Sequence, residues 1–219
     1  MSITATKYIN NSKLKTSYIG AYHYSRPVRS KQDMEVNIYG LLSVTSAVEI
    51  PGDKLAKFAW DGIVDGFEYS KSDSVNESLK ISLNEATRRV KQLILNDTNI
   101  AQHGVDINFT IFVSSNGGIY IGVLGEADIF LYKKGRLVDI FEILEKKRAK
   151  TAGIAIEEKD LIFSSTKDVF KENITRLMST KSREELVSVL EELGNEVGDD
   201  KGILVLQKEK EEKVVLRKK

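Results

Sequence analysis

Residues 107–139 contain short alternating β runs that are joined by very tight turns. INFTIFVSS is followed by the turn signal Gly117-Gly118, and IYIGVL, DIFLY and RLVD are separated by Gly125-Glu126-Ala127 and Lys134-Gly135. Connections this short join antiparallel neighbours, because a parallel pair needs a crossover of a dozen or more residues. The stretch therefore predicts an antiparallel meander, whose last run we expect to continue as a strand through RLVDIFEIL.

Other β-rich runs lie on both sides of this meander. TSYIGAYHYS (16–25) and two runs around Gly40 in EVNIYGLLSVTSAVEI (35–50) precede it, and DLIFSS (160–165) and GILVLQ (202–207) follow it. These runs are rich in β-branched and aromatic residues and are typical of strands.

Helical patterns fill the gaps between these groups of strands. Asp53 is the expected N-cap of a helix in which Leu55, Phe58, Ala59, Ile63 and Phe67 recur at helical spacing. Capping boxes, Ser74 with Glu77 and Ser182 with Glu185, predict two further helices, and another is expected near 168–178. Strands and helices do not alternate as in a βαβ fold, so we expect an α+β fold of two stacked antiparallel sheets with helices on both outer faces.

Composition limits the functions that remain. The chain has 219 residues, with 33 basic and 32 acidic ones, so its net charge of +1 gives no overall attraction to nucleic acid or a membrane surface. It has no cysteine and two histidines, which excludes disulfides and thiolate catalysis and makes a His-rich metal site or a Ser-His-Asp triad hard to build. Without a signal peptide, an apolar span or a linker rich in Gly and Ser, we expect one cytoplasmic domain over 1–219, with 208–219 as a charged hairpin or tail.

The meander and its neighbours resemble one known family. NFTIFVSSNGGIYIGVLGEADIFLYKKGRLVDI resembles the central hairpin of PPM-type metal-dependent serine/threonine phosphatases, in which Gly-Asp-Ser occupies the corner. RPVRSKQDM, LLSVTSAVEI, EEKDLIFSSTKDVF and GDDKGILVLQ are similar to further segments of that family, and together they cover nearly the whole chain. The resemblance implies a four-layer αββα sandwich that hydrolyses phosphoserine and phosphothreonine with two bridged Mn²⁺ or Mg²⁺ ions.

The resemblance also implies where the metal ligands would stand, and most of those positions lack a carboxylate. Gln32 and Asp33 take the place of Glu-Asp, Ser46 and Ala47 that of the Asp-Gly whose aspartate bridges the ions. Ser165, Thr166 and Lys167 replace Ser-Asp-Gly, and Asp200 with Lys201 replaces Asp-Asn. Asp33 and Asp200 are then the remaining candidate metal ligands, and Lys31, Lys167 and Lys201 are expected nearby.

Other acidic residues have a simpler structural interpretation. Asp61 and Asp65 are expected to face water from the first helix, where Gly62 and Gly66 permit close packing of the helix on a sheet. Glu126 stands where the family has the aspartate of Gly-Asp-Ser, and we interpret it, together with Asp128, as a solvent-facing corner residue.

These patterns and the resemblance favour three candidate functions, in decreasing order of preference. The first is a degenerate, non-catalytic PPM-like module that binds a protein or phosphoprotein and needs no cofactor. The second is an active phosphatase with a reduced Mn²⁺ or Mg²⁺ site on Asp33 and Asp200, aided by Glu49 or Asp53, and the third is a self-assembling scaffold domain.

ILEKKRAK (143–150) is a basic cluster able to contact phosphate groups, although such clusters are usually solvated loops. Neither the partner nor the oligomeric state is specified by these patterns.

Overall fold

The computed structural model describes residues 3–26, 35–115 and 117–208. Within them the strands are β1 (Ile3–Asn10), β2 (Ser17–Arg26), β3 (Val36–Thr45), β4 (Asp106–Ser115), β5 (Gly118–Leu124), β6 (Asp128–Lys133), β7 (Arg136–Asp139), β8 (Thr151–Ala155), β9 (Leu161–Ser165) and β10 (Lys201–Lys208). The helices are α1 (Gly52–Glu68), α2 (Val75–Leu95), α3 (Thr98–His103), α4 (Ile140–Lys146), α5 (Val169–Glu172), α6 (Ile174–Met178) and α7 (Arg183–Asn195).

These strands form two five-stranded sheets. Sheet A has the order β1-β10-β9-β6-β7, and sheet B has the order β2-β3-β4-β5-β8. Every neighbouring pair is antiparallel, as expected from the tight turns. The β5–β6 turn crosses from sheet B to sheet A, so the meander contributes strands to both sheets rather than to one.

Three apolar layers hold the sheets and helices together. One lies between the sheets and includes Phe112 and Ile121 of sheet B and Ile129, Ile162 and Leu204 of sheet A. A second joins sheet B to α1 and α2, and a third joins sheet A to α5, α6 and α7. Each sheet is therefore buried on both faces, which confirms the four-layer αββα sandwich.

The pair α1 and α2 covers sheet B, and its packing differs in one respect from the prediction. A Cβ built on Gly62 would lie 2.8 Å from the Cα of Ala86, and one on Gly66 would lie 2.7 Å from the Cα of Ser82. These glycines therefore permit close packing of α1 on α2, not of α1 on the sheet as we expected. Arg89 of α2 lies 2.7 Å from Asp65 across the same contact.

The helix starts were predicted with mixed success. Ser74 and Ser182 accept hydrogen bonds from the backbone N–H of Glu77 and Glu185, at 3.5 and 3.1 Å, so both predicted N-caps are confirmed. The reciprocal bond of a capping box is not formed, because the Ser74 N–H donates to Ser72 and Glu185 accepts the N–H of Lys181 instead. Asp53 is not the cap of α1, because Pro51 occupies the N-cap position without a side-chain hydrogen bond. Phe58 is 38% exposed and is not part of the buried face of α1.

Several elements differ from the expected ones. The expected strand RLVDIFEIL ends at Asp139, whose carboxylate accepts a hydrogen bond from the Glu142 N–H at 2.9 Å and begins α4. The two runs around Gly40 form one strand, and the helix near 168–178 is divided into α5 and α6. Strands β1 and β8 and helix α3 were not predicted. Residues 209–219 of the predicted charged hairpin or tail lie outside the described residues, and the single-domain assignment stays a prediction.

Candidate functional site at the strand ends

The ends of strands from both sheets meet at one end of the sandwich. The register pairs Ser17 with Thr45 and Thr45 with Asp106 in sheet B, and Ser165 with Asp128 and Ile203 in sheet A. The residues just beyond these strand ends, Ser46, Glu126, Thr166, Lys167 and Asp200, are called the strand-end site below. It contains the described positions at which the resemblance implies metal ligands.

Ser46 follows the last residue of β3 and is tied into the backbone around it. Its hydroxyl donates to the carbonyl of Gly104 at 2.8 Å and accepts from the N–H of Val48 at 3.3 Å. Its own N–H donates to the carbonyl of Thr16 at 2.9 Å. The side chain thus fixes the β3–α1 connection and carries no negative charge.

Thr166 has a similar structural role at the end of β9. Its hydroxyl accepts a hydrogen bond from the Gly202 N–H at 3.1 Å, and its N–H donates to the Gly202 carbonyl at 3.0 Å. These two bonds extend the pairing of β9 with β10 past the regular strand. Lys201 donates from its ammonium to the carbonyl of Lys167 at 3.0 Å, which fixes the turn on the same side.

Glu126 and Lys167 form an ion pair between the β5–β6 corner and the residue after Thr166. Their charged groups are 2.6 Å apart and their side chains are 58% and 55% exposed. The hydrogen bond and the positive charge of Lys167 lower the pKa of Glu126, and Glu126 in turn raises the pKa of Lys167. Glu126 is solvent-facing as predicted, and its carboxylate is neutralised by the lysine.

Gly125 is the residue that makes this corner possible. Its φ is +77°, and a Cβ there would lie 2.0 Å from the side-chain oxygen of Asn108. That oxygen accepts the N–H of Glu126 at 2.8 Å. Asn108 was not predicted as a site residue, because a lone amide in an alternating strand gives no signal of a cross-strand contact.

Asp128 is buried, which corrects its interpretation as a solvent-facing corner residue. Its carboxylate accepts the N–H of Phe170 at 2.9 Å and that of Lys171 at 3.3 Å, and the Ser165 hydroxyl lies 3.3 Å away. Burial raises the pKa of Asp128, although these donors and the Lys171 ammonium, 4.0 Å away, oppose the rise. Asp128 therefore holds the start of α5 against sheet A.

Asp200 is the described member of the predicted metal pair. It has φ +58°, and its carboxylate accepts the N–H of Ser12 at 3.0 Å. Burial raises the pKa of Asp200, but the neighbouring Ser17 and Ser12 groups outweigh burial and lower it. Asp33 lies outside the described residues, between Arg26 at the end of β2 and Val36 at the start of β3. The metal role of both residues stays a prediction.

Two further acidic residues, Glu49 and Asp61, are also paired, and Asp53 lies in the first turn of α1. Glu49 lies 2.9 Å from the Lys15 ammonium, and both side chains are mostly exposed. Asp61 pairs with Lys57 one helical turn away. Across residues 3–26, 35–115 and 117–208, no three His, Cys, Asp or Glu residues are grouped so that they could hold a metal ion.

The donor set fits a pair of divalent ions poorly. Two such ions carry about +4 of charge, which needs several hard oxygen ligands with negative charge. At the strand-end site Ser46 and Thr166 supply neutral oxygens that already serve the backbone, Glu126 is paired with Lys167, and Asp200 binds the Ser12 N–H. The described residues therefore do not fit a two-metal centre.

Comparison with solved structures identifies the fold. The PPM Ser-Thr phosphatase MsPP from Mycobacterium smegmatis matches with a TM-score of 0.59 at 12% identity over 96% of this chain and 99% of that one. The serine/threonine phosphatase of S. agalactiae matches with a TM-score of 0.63 at 9% identity over 95% and 99%. The catalytic domain of serine threonine protein phosphatase PstP, in complex with two manganese ions, matches with 0.59 at 11% over 94% and 97%.

The chain accordingly has the PPM-type phosphatase-like fold over nearly its whole length. No family model matches the sequence, and no curated protein matches it. At identities this low the likeness shows the fold alone, and what the site does has to come from its own residues. No described helix has both the length and the apolar character needed to cross a membrane.

Proposed function

We propose that this chain is a non-catalytic PPM-fold domain that binds a partner protein. The observation that carries the proposal is Ser46, which stands at the end of β3 where the resemblance implies the bridging aspartate. Its hydroxyl is hydrogen-bonded to Gly104 and Val48. A neutral oxygen committed to two backbone groups offers no charge to a divalent ion.

The charges around Ser46 support the same proposal. Lys167 and Lys201 lie at the neighbouring turn, and Lys15 lies one residue before Thr16, to whose carbonyl Ser46 donates. Lys167 is paired with Glu126 and Lys15 with Glu49, so the carboxylates nearest these turns are already occupied by lysines rather than free to hold a cation. The fold is therefore retained in a chain whose strand ends are held together by internal contacts.

A PPM fold without its metal centre still presents a large, rigid surface, and fold alone does not fix function. We infer that the domain takes part in signalling by binding a protein or phosphoprotein in the cytoplasm, a location that the absence of cysteine supports. Self-assembly of the chain is the alternative use of such a surface, and a mass that changes with concentration would favour it.

Asp200 favours a second candidate, a metal-dependent phosphatase with a reduced site. It stands where the resemblance implies a metal ligand and retains the carboxylate that hard divalent ions prefer. PstP, which shares the fold, was solved with two manganese ions. In this chain such a site would need Asp33 as well, together with water molecules in place of the missing carboxylates.

Phosphatase assays distinguish the two candidates. Turnover of p-nitrophenyl phosphate and of a phosphothreonine peptide is measured with Mn²⁺ and with Mg²⁺, beside an active PPM phosphatase. We expect the wild-type chain and the Asp200→Asn variant to give the same signal as buffer. Metal-dependent turnover that disappears in Asp200→Asn or Asp33→Asn would overturn the proposal in favour of the second candidate.

A further inference from the structure

A cleft lies between α2 and the turn that joins α4 to β8. It has a volume of about 630 Å³, within the range of ligand-sized clefts. It is called the basic cleft, and its lining includes Asn76, Lys80, Leu83, Arg148 and Lys150. No acidic residue is among the described residues that line it.

The cations of this cleft have few internal partners. Arg148 and Lys150 are exposed and form no ion pair with any residue in the described ranges. Lys80 lies 2.6 Å from Glu77, one turn earlier on α2, and is about half exposed. The cleft thus brings together charges from two distant parts of the chain and leaves most of them available to an anionic ligand.

The backbone presents Arg148 at a position where glycine is usual. The N–H of Arg148 donates to the Glu145 carbonyl and that of Ala149 donates to the Leu144 carbonyl, both at 2.9 Å. This is the Schellman motif, and Arg148 occupies its left-handed C′ position with φ +50°. Glycine would adopt that conformation without strain, so the arginine is kept there at a conformational disadvantage.

The other lining groups suit a peptide better than a lone anion. Leu83 lines the cleft but is only 3% exposed, so it offers a small apolar surface. The side-chain oxygen of Asn76 is buried and has no hydrogen-bond partner among the described residues. The cleft thus combines cations with a small apolar surface, and a peptide segment can contact both whereas a lone anion cannot.

We propose that the basic cleft binds an acidic segment of a partner protein, whose Asp and Glu carboxylates pair with Lys80, Arg148 and Lys150 while an apolar side chain contacts Leu83. This inference rests on the proposed partner-binding function and gives it a location and a ligand chemistry. The strand-end site takes no part in this interaction. A different experimental result would therefore overturn each of the two proposals. Metal-dependent turnover would overturn the first, and loss of peptide recognition would overturn the second.

Fluorescence anisotropy with a short labelled peptide of Glu and Asp residues around one Leu tests the proposal. We expect the wild-type chain to bind this peptide, to ignore the matching Gln and Asn peptide, and to bind less tightly as salt rises. The double variant Arg148→Gln/Lys150→Gln should weaken binding by at least about fivefold. Lys54→Gln/Lys91→Gln, which removes the same charge elsewhere, should change it less than about twofold.

The single variant Arg148→Gly separates binding from folding. It removes the guanidinium and places the preferred residue at the left-handed position, so the chain should stay folded while peptide binding weakens. The proposal is overturned if the wild-type chain does not bind the acidic peptide, or if both double variants lose equal affinity. It is also overturned if Arg148→Gly binds as well as wild type, or if only a phosphorylated peptide, single-stranded DNA or anionic vesicles bind at this cleft.

Discussion

The strand-end site and the basic cleft handle their charges in opposite ways. At the strand ends Glu126 is neutralised by Lys167, Asp200 accepts the Ser12 N–H, and nearby Asp128 is buried against the start of α5. In the basic cleft Arg148 and Lys150 face solvent without an ion pair among the described residues. Charges that are paired internally stabilise or orient the fold, whereas unpaired charges of one sign remain available to another molecule.

Removal of Asp128 gives the largest expected effect. Asp128→Ala leaves the buried N–H of Phe170 without its acceptor, so the free energy of unfolding should fall by about 2–3 kcal/mol, measured by urea denaturation. Asp128→Asn keeps one acceptor oxygen and should lose less. If Asp128→Ala lowers the free energy of unfolding no more than Lys150→Ala does, the proposed difference between the two regions is wrong.

Thr166 tests the same contrast with a neutral group. Thr166→Val keeps the shape but leaves the Gly202 N–H unpaired, which should lower the free energy of unfolding by about 1–2 kcal/mol. Thr166→Ser retains the hydroxyl and is the matched control. If Val and Ser variants are equally stable, the hydroxyl does not hold β9 and β10 together.

Arg148 should behave in the opposite way. Arg148→Gly relieves the left-handed backbone at φ +50° and should raise the free energy of unfolding by about 1 kcal/mol. Thermal unfolding of this variant beside Arg148→Ala, which keeps the strain, isolates the backbone effect. A destabilised glycine variant would mean that the arginine side chain has a structural role.

The raised pKa of Asp128 predicts a pH dependence. The folded state holds the Asp128 proton more tightly than the unfolded state does. The contribution of Asp128 to stability is therefore fully present below pH 3.8, the ordinary aspartate pKa, and is lost as pH rises through the folded pKa. Arg88 and Arg89 lower the pKa of Glu85 to about 2, so the contribution of Glu85 to stability is lost as pH falls. The total stability at each pH therefore contains both opposing contributions. On going from about pH 7 to about pH 4, the free energy of unfolding of wild type should therefore rise relative to that of Asp128→Asn. A constant difference would contradict the burial effect.

The smallest effect belongs to the ion pair of Glu126 and Lys167. Both groups are exposed, so a double-mutant cycle with Glu126→Gln and Lys167→Gln should give a weak coupling that salt abolishes. A coupling that persists at high salt would indicate that the pair is less accessible to solvent than its exposure suggests.

The layers and most elements could be predicted because tight turns and apolar periodicity act locally. The N-caps at Ser74 and Ser182 were confirmed for the same reason. Strand β1 was missed because ITATKYIN is an edge strand whose middle residues are exposed, so it lacks the alternation of a buried strand. Helix α4 was taken for a strand because the apolar run continues past Asp139, where the cap redirects the chain.

The sites could be predicted only in part, since they depend on contacts between distant residues. The replaced carboxylate positions follow from the sequence, but the burial of Asp128 depends on α5, some 42 residues further along the chain. Likewise the basic cluster at 143–150 was visible, while its position opposite Lys80 and Asn76 needed the packing of α2 beside β8.

Calorimetric titration of the wild-type chain with Mn²⁺ tests the central claim most directly, namely that the strand ends lack the negative charge to hold divalent ions. We predict no saturable heat of binding at millimolar concentrations of the ion. Saturable binding of two ions per chain, with one or both lost in Asp200→Asn, would contradict the account and establish a working metal centre.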